Sequence, residues 1–219
     1  MKYVLFDLDG TLTDPGLGIT NCVKYALNHF GIMPSEREEL FPYIGPPLVD
    51  SFKMFHGLNE EQAQKALCLY RERFNTKGIF ENALIPGITE LLNDLKKRGF
   101  KLIIATSKPE EYTVRILEHF DIDQYFDFVG GNTLREERPR KNDVIRYIMD
   151  NYPDMSGENA VMVGDRKYDV QGAHEFGIPT IGVLFGYGSR EELTLAGADF
   201  VVESVGKLKK CLLEFEMCR

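Results

Sequence analysis

The sequence predicts an α/β fold: a doubly wound, Rossmann-like parallel sheet with an inserted α-helical cap domain. Three observations lead there: short apolar runs rich in β-formers, amphipathic helix-length segments between them, and one long interval with helical patterning alone. The apolar runs are residues 3–6, 102–105, 126–129, 160–163, 180–183 and 200–202. Most are continuous rather than alternating, which is the pattern of strands covered by helices on both faces. Segments 88–97, 112–120, 144–152 and 170–176 keep a helical period and supply those covers. Sheets of this kind bind ligands beyond the carboxyl ends of their strands.

The interval 15–81 breaks the alternation. Ile19, Val23, Ala26, Leu27 and Phe30 recur at helical spacing, as do Ala63, Leu67, Tyr70 and Phe74. Pro42, Pro46 and Pro47 punctuate its middle, and Pro86-Gly87 turns the chain back to α/β patterning. The predicted organisation is a core of residues 1–14 and 82–219 with a helical cap of 15–81. Its point of insertion would set the cap over the C-terminal edge of the first strand, as a lid. Lys24, Lys53, Arg71 and Arg73 would either meet a second anionic group of a substrate or lie solvated on helix surfaces. Gly45-Pro46-Pro47 reads as a rigid loop dipping toward a site or as a helix start.

Composition narrows the function. With 43% apolar and 27% charged residues, the 219-residue chain can build a core domain carrying a small insertion. A formal net charge of −8 argues against a nucleic-acid-binding module, which needs a cationic surface. A locally positive site for a small anion remains compatible with it. Cys22, Cys68, Cys211 and Cys218 form neither a CxxC pair nor a zinc-spaced cluster with histidine, so reduced thiols packed in helices are expected. The apolar opening stops at Asp7, too short for a signal peptide or a membrane span. A cytoplasmic monomer or homodimer without a membrane partner is the expectation.

The chemistry-bearing residues stand at strand ends. Asp7-Leu8-Asp9-Gly10 places two carboxylates two residues apart on extended backbone, where they point the same way. Like charges this close call for a cation or a shared proton, and Mg²⁺ suits oxygen ligands. Taken alone, the four residues read equally well as an acidic turn. Gly164-Asp165 follows another apolar run, and Asp169 lies one helical turn further on. Thr106-Ser107-Lys108-Pro109 would form an anion site at a strand-to-helix turn, or simply an N-cap by Ser107.

Arg138-Pro139-Arg140-Lys141 offers three cations where a phosphate site needs one. The helix that follows would bury Val144, Ile145, Ile148, Met149 and Tyr152. At 100° per residue their mean direction lies within roughly 20° of Lys141 and about 110° from Arg140. Arg138 precedes a proline and is biased toward extended backbone. Lys141 is therefore the cation expected to face inward, at a helix N-terminus that disfavours it unless an anion compensates.

Taken in order, Asp7-Leu8-Asp9-Gly10-Thr11-Leu12, Thr106, Lys141 and Gly164-Asp165 with Asp169 resemble the four-motif set of the haloacid dehalogenase-like hydrolase superfamily. The helical insertion resembles its small-cap subclass, the branch of phosphoglycolate phosphatases, 5′-nucleotidases and β-phosphoglucomutases. The resemblance implies a Mg²⁺-dependent phosphatase acting on a small phosphorylated metabolite through an aspartyl-phosphate, phosphoglycolate-phosphatase-like or nucleotidase-like. It implies Asp7 as nucleophile and metal ligand, and Asp9 as acid and base with its carbonyl on the metal. Asp165 would be a further metal ligand. Thr106, Ser107, Lys108 and Lys141 would bind the phosphoryl group, and Asp169 would support Lys141 or the metal's waters. A phosphomutase shares every core residue and is the main alternative; a non-catalytic phospholigand-binding protein is the other. A dehalogenase has no use for Asp9, and a dinucleotide-binding protein would carry GxGxxG after the first strand.

Overall fold

The computed structural model describes residues 2–217, which leaves Cys218 outside the described residues. In chain order, β1 (Tyr3–Phe6) and β2 (Thr13–Asp14) lead to α1 (Gly16–Asn28), α2 (Leu48–His56) and α3 (Glu60–Thr76). The short β3 (Ala83–Leu84) leads back to α4 (Ile88–Lys97), β4 (Lys101–Pro109), α5 (Glu110–His119) and β5 (Phe128–Asn132). There follow α6 (Lys141–Asn151), β6 (Ala160–Gly164), α7 (Lys167–His174) and β7 (Thr180–Val183). The last elements are α8 (Arg190–Leu195), β8 (Phe200–Val202) and α9 (Val205–Met217). Two compact units result: the residues up to Thr13 with those from Leu84 onward, and Asp14–Ala83.

The first unit is built on a six-stranded sheet of order β5-β4-β1-β6-β7-β8, paired in parallel throughout. This is the predicted doubly wound α/β class. The order runs outward from β1 in both directions, so the connections after β1 and β6 depart to opposite sides. A crevice is left between those two strand ends, where such sheets place their ligands. β1 reads Tyr-Val-Leu-Phe and is buried along its whole length, as a central strand covered on both faces must be. On one face Tyr3, Leu5, Ile103, Ala105, Ala160 and Met162 pack with Val144, Ile145 and Ile148 of α6 and Ala173 of α7. Register then sets the site. Phe6 lies opposite both Ile104 and Val163, so the residues that follow these three positions lie at the same end of the sheet.

Three strands depart from their expected limits, β6 only by ending at Gly164 rather than Val163. β4 extends to Pro109 rather than stopping at Ala105, because a bulge between those residues carries Pro109 opposite Asn132 of β5. β5 begins two residues late, since Asp123–Tyr125 closes a 3-10 turn ahead of it.

The second unit packs α1 and α2 on α3. Asn59 and Gln62 cap α3 reciprocally, each side chain accepting from the other's backbone N–H (2.9 and 3.0 Å). Pro47 caps α2, so the Gly-Pro-Pro segment starts a helix. Two of the cap's candidate cations are engaged inside this unit. Arg73 donates to both oxygens of Glu81 (2.7 and 2.8 Å), and Lys53 to Glu60 (2.7 Å). Cys22 is buried, but Cys68 is exposed on α3 and not packed as expected. Among the described residues no helix is long and apolar enough to cross a membrane.

One polar residue ties the start of β4 to β5. The Asp127 N–H donates to the Leu102 carbonyl at 2.8 Å, and its carboxylate accepts from the Leu102 N–H, Lys96 and Lys101 (2.9, 2.8 and 3.0 Å). Burial alone would raise the pKa of Asp127, but these donors hold it below its ordinary value of 3.8. A depressed carboxylate stabilises the fold above its unfolded pKa and loses that contribution as pH falls through the folded value. Asp127→Asn should therefore destabilise the protein at pH 7 by about 1.5–3 kcal/mol, and the gap should narrow below about pH 4. Urea unfolding of both proteins across that range checks this, and a gap independent of pH would contradict it.

Candidate active site

Asp7 is the first residue past β1. Its backbone N–H donates to the Val163 carbonyl at 2.9 Å, which holds it at the sheet edge. The chain then turns sharply, with the N–H groups of Thr11, Leu12 and Thr13 all donating to the Leu8 carbonyl (3.2, 2.9 and 3.0 Å). Gly10 makes the turn with φ +83°, and a Cβ there would lie 2.3 Å from Asp165 Oδ2. Glycine is required on both counts.

Lys141, the first residue of α6, reaches into this edge. Its Nζ lies 2.9 Å from Asp7 Oδ1 and 2.8 Å from Asp169 Oδ1, and donates to the Ala105 carbonyl at 2.7 Å. The side chain is 4% exposed, so this is a desolvated charge between two carboxylates. Burial works against its protonation, yet Asp169 and Asp7 outweigh burial and raise its pKa. Asp169 sits in the first turn of α7, and its carboxylate also accepts from the Arg166 N–H at 3.0 Å.

Asp165 completes the group. Oxygens of Asp7, Asp165 and Asp169 all lie within 4.8 Å of one another, with all three residues buried. Asp165 accepts at Oδ2 from the Tyr187 N–H (2.7 Å), while its Oδ1 is buried with no hydrogen-bond partner. Burial, then Asp169 and Asp7, push its pKa well above the ordinary value. Burial and Asp7 likewise push Asp169 up to about 6 against the pull of Lys141. Three buried carboxylates around one ammonium carry excess negative charge, and an orphaned oxygen points to a missing partner. An all-oxygen donor set suits a hard divalent cation. These residues fit a metal ion.

The other predicted residues are distributed differently. The carboxylate of Asp9 is not part of the metal-competent trio; it pairs with Lys108 (2.7 Å). Burial raises the Asp9 pKa most, Lys108 opposes, and Asp7 adds to the rise. The Lys108 ammonium, expected on phosphate, is thus engaged by Asp9. Thr106 is buried, and its Oγ1 accepts from the Lys108 N–H (3.3 Å). Ser107 is half-buried within β4 and does not cap α5, which begins after Pro109. Of the two neighbouring arginines, Arg140 is exposed. Arg138 is not the solvated charge its position suggests. It pairs with Glu110 (2.7 Å) and lies 3.8 Å from the centroid of the Tyr147 ring.

Sequence reasoning missed the loop after β7. A Cβ on Gly186 would lie 2.3 Å from the Gly10 carbonyl and 2.4 Å from Asp165 Oδ2; one on Gly188 would lie 1.8 Å from the Asp165 carbonyl. The two glycines let the backbone close on Asp165 so that the Tyr187 N–H can reach it. The available signal was Gly186-Tyr187-Gly188 directly after an apolar strand.

Residues 4–183 match the family described as haloacid dehalogenase-like hydrolase. A 5′-nucleotidase of Pseudomonas aeruginosa is 43% identical over 190 residues, spanning 87% of this chain and 86% of that protein. A tyrosine-protein kinase PtkA of Mycobacterium tuberculosis is 40% identical over 187 residues, 85% of this chain but 63% of that protein. A crystal structure of a predicted phosphatase from Clostridium acetobutylicum superposes with a TM-score of 0.94 at 48% identity, covering 97% of this chain and 98% of that one. With Asp7, Lys141, Asp165 and Asp169 gathered at one edge of a parallel sheet and these likenesses along nearly its whole length, the chain belongs to the haloacid dehalogenase-like hydrolase family.

Proposed function

We propose that this protein is a Mg²⁺-dependent phosphatase that hydrolyses a small phosphate monoester through an aspartyl-phosphate on Asp7. The observation that carries the reading is the buried Lys141 bridging Asp7 and Asp169, beside the unpartnered oxygen of Asp165. Likeness to a 5′-nucleotidase supports a nucleoside monophosphate as the first substrate to try, with phosphoglycolate the second.

The residues divide the work in two steps. An Asp7 carboxylate oxygen attacks phosphorus, the bond from phosphorus to the ester oxygen breaks, and Asp9 gives its proton to the departing alkoxide. Asp9, now a carboxylate, takes a proton from water. That water attacks phosphorus, and cleavage of the bond to Asp7 releases inorganic phosphate. Phosphoryl transfer depends on in-line positioning and charge neutralisation. Lys141 supplies a fixed positive charge beside Asp7, and Thr106 and the Ser107 backbone bind phosphoryl oxygens. Asp7, Asp165 and the Asp9 carbonyl would hold Mg²⁺, with Asp169 supporting them or Lys141, and the bound ion would supply neutralisation of charge on the transferring group. The helical unit is inserted directly after the turn that follows Asp7.

Phosphate release from a panel of nucleotides, phosphoglycolate and other phosphorylated metabolites tests this, with Mg²⁺ and with excess EDTA. Activity should require the metal. Asp7→Asn should abolish turnover, and Asp9→Asn should lower it by ~10²–10⁴-fold. Full activity in EDTA, a wild-type rate for Asp7→Asn, or transfer of phosphate to a sugar or protein tyrosine instead of water would refute the proposal.

The bridging cation gives a separate expectation. Lys141→Ala should cut turnover by roughly 10²–10³-fold, the scale of losing a key transition-state charge, whereas Arg140→Ala should stay within about threefold, as an exposed charge allows. Thermal unfolding measured alongside separates lost chemistry from lost fold. Equal effects of the two substitutions on a folded protein would count against the assignment.

A further inference from the structure

A second lysine of the site, Lys108, contacts Asp9. Lys108 Nζ is 2.9 Å from Asp9 Oδ1 and 2.7 Å from Oδ2, so it grips both carboxylate oxygens. The two side chains are 7% and 13% exposed. This contact depends on the bulge in β4. Regular pairing with β5 is interrupted between Ala105 and Pro109, and within that gap the Lys108 N–H turns back to Thr106 Oγ1 (3.3 Å). β5 seats the bulge at Gly131, where a Cβ would come within 2.7 Å of the Lys108 carbonyl. Backbone and side chain of Lys108 are therefore both held, and the held end is on Asp9.

Asp9 needs such a hold. It follows β1 on a tight turn, and rotation about its own side-chain bonds would carry its carboxyl away from a leaving oxygen. Proton transfer requires that carboxyl within about 2.6–3.2 Å of its partner, and small misplacements are expensive in rate. An ammonium in contact with both oxygens stops that rotation.

We propose that Lys108 is the positioning residue of Asp9, and that its contribution to turnover passes through Asp9 rather than through the substrate's phosphoryl group. This rests on the phosphatase reading and adds a division of labour to it: Lys141 serves the nucleophile, and Lys108 the acid–base.

A double-mutant cycle tests it, since residues acting as one unit give non-additive losses. Asp9→Asn, Lys108→Met and the double variant are compared for kcat, KM and inhibition by inorganic phosphate, with Mg²⁺ present. Lys108→Met should lose roughly 10–100-fold in kcat, the scale of a misplaced catalytic group. Its KM and phosphate inhibition constant should stay within about threefold of wild type, because binding is uniform and untouched. The double variant should be no slower than Asp9→Asn alone, and Lys108→Arg should recover part of the loss. Lys108→Gln takes the same place in the cycle if Lys108→Met does not fold. Losses that multiply in the double variant, or phosphate inhibition weakened tenfold or more, would overturn the proposal while leaving the phosphatase reading intact. A wild-type rate for Asp9→Asn would instead overturn both.

Discussion

The protein is organised around one electrostatic constraint: three carboxylates are buried together, and Lys141 lies between two of them. Removing a single ion from water costs several kcal/mol even after relaxation; Lys141 offsets that cost for Asp7 and Asp169, while Asp165 has only the Tyr187 N–H and keeps an unpartnered oxygen. The Lys141 ammonium must reach Asp7 and Asp169 together, which ties the N-terminus of α6 to the first turn of α7. Gly172 allows this approach, since a Cβ there would come 2.9 Å from the Lys141 side chain. The central position of β1, the register of its neighbours and the glycines against Asp165 all serve to keep the same few charges in contact.

This arrangement also reconciles an acidic protein with an anionic ligand. The formal charge is −8, yet two ammonium groups are held at this sheet edge, Lys141 by Asp7 and Asp169 and Lys108 by Asp9. Each ammonium is placed where desolvation strengthens its field, and bulk charge is left to the surface.

Much of the scaffold was legible in the sequence because its signals are local. Continuous apolar runs mark buried parallel strands, and helical periodicity sets the inward face of α6, on which Lys141 lies. What was not legible depends on pairs distant along the chain. The bulge in β4 exists because Pro109 meets Asn132, and no pattern within 102–109 carries that information. Lys108 and Asp9 are 99 residues apart, so the motif displayed a cation without its partner. Arg138 read as one charge in a basic loop because Glu110 and Tyr147, which fix it, come from other elements. Glycines at 186 and 188 announced a turn, but only the folded backbone says that the turn closes on Asp165.

The central place of β1 has a consequence for how the chain reaches its native state. Its hydrogen-bonding partners begin at Lys101 and Ala160, with the entire helical unit intervening before either. At ~5–20 residues per second, a ribosome needs on the order of ten seconds to deliver the second partner after the first strand has emerged. Until then at least one edge of an uninterrupted apolar strand is unpaired, the situation that invites misassociation. The intervening helices, whose contacts are closer in sequence, can form early. The centre of the sheet is complete only when β6 pairs with β1, and that same pairing brings Asp165 to Asp7.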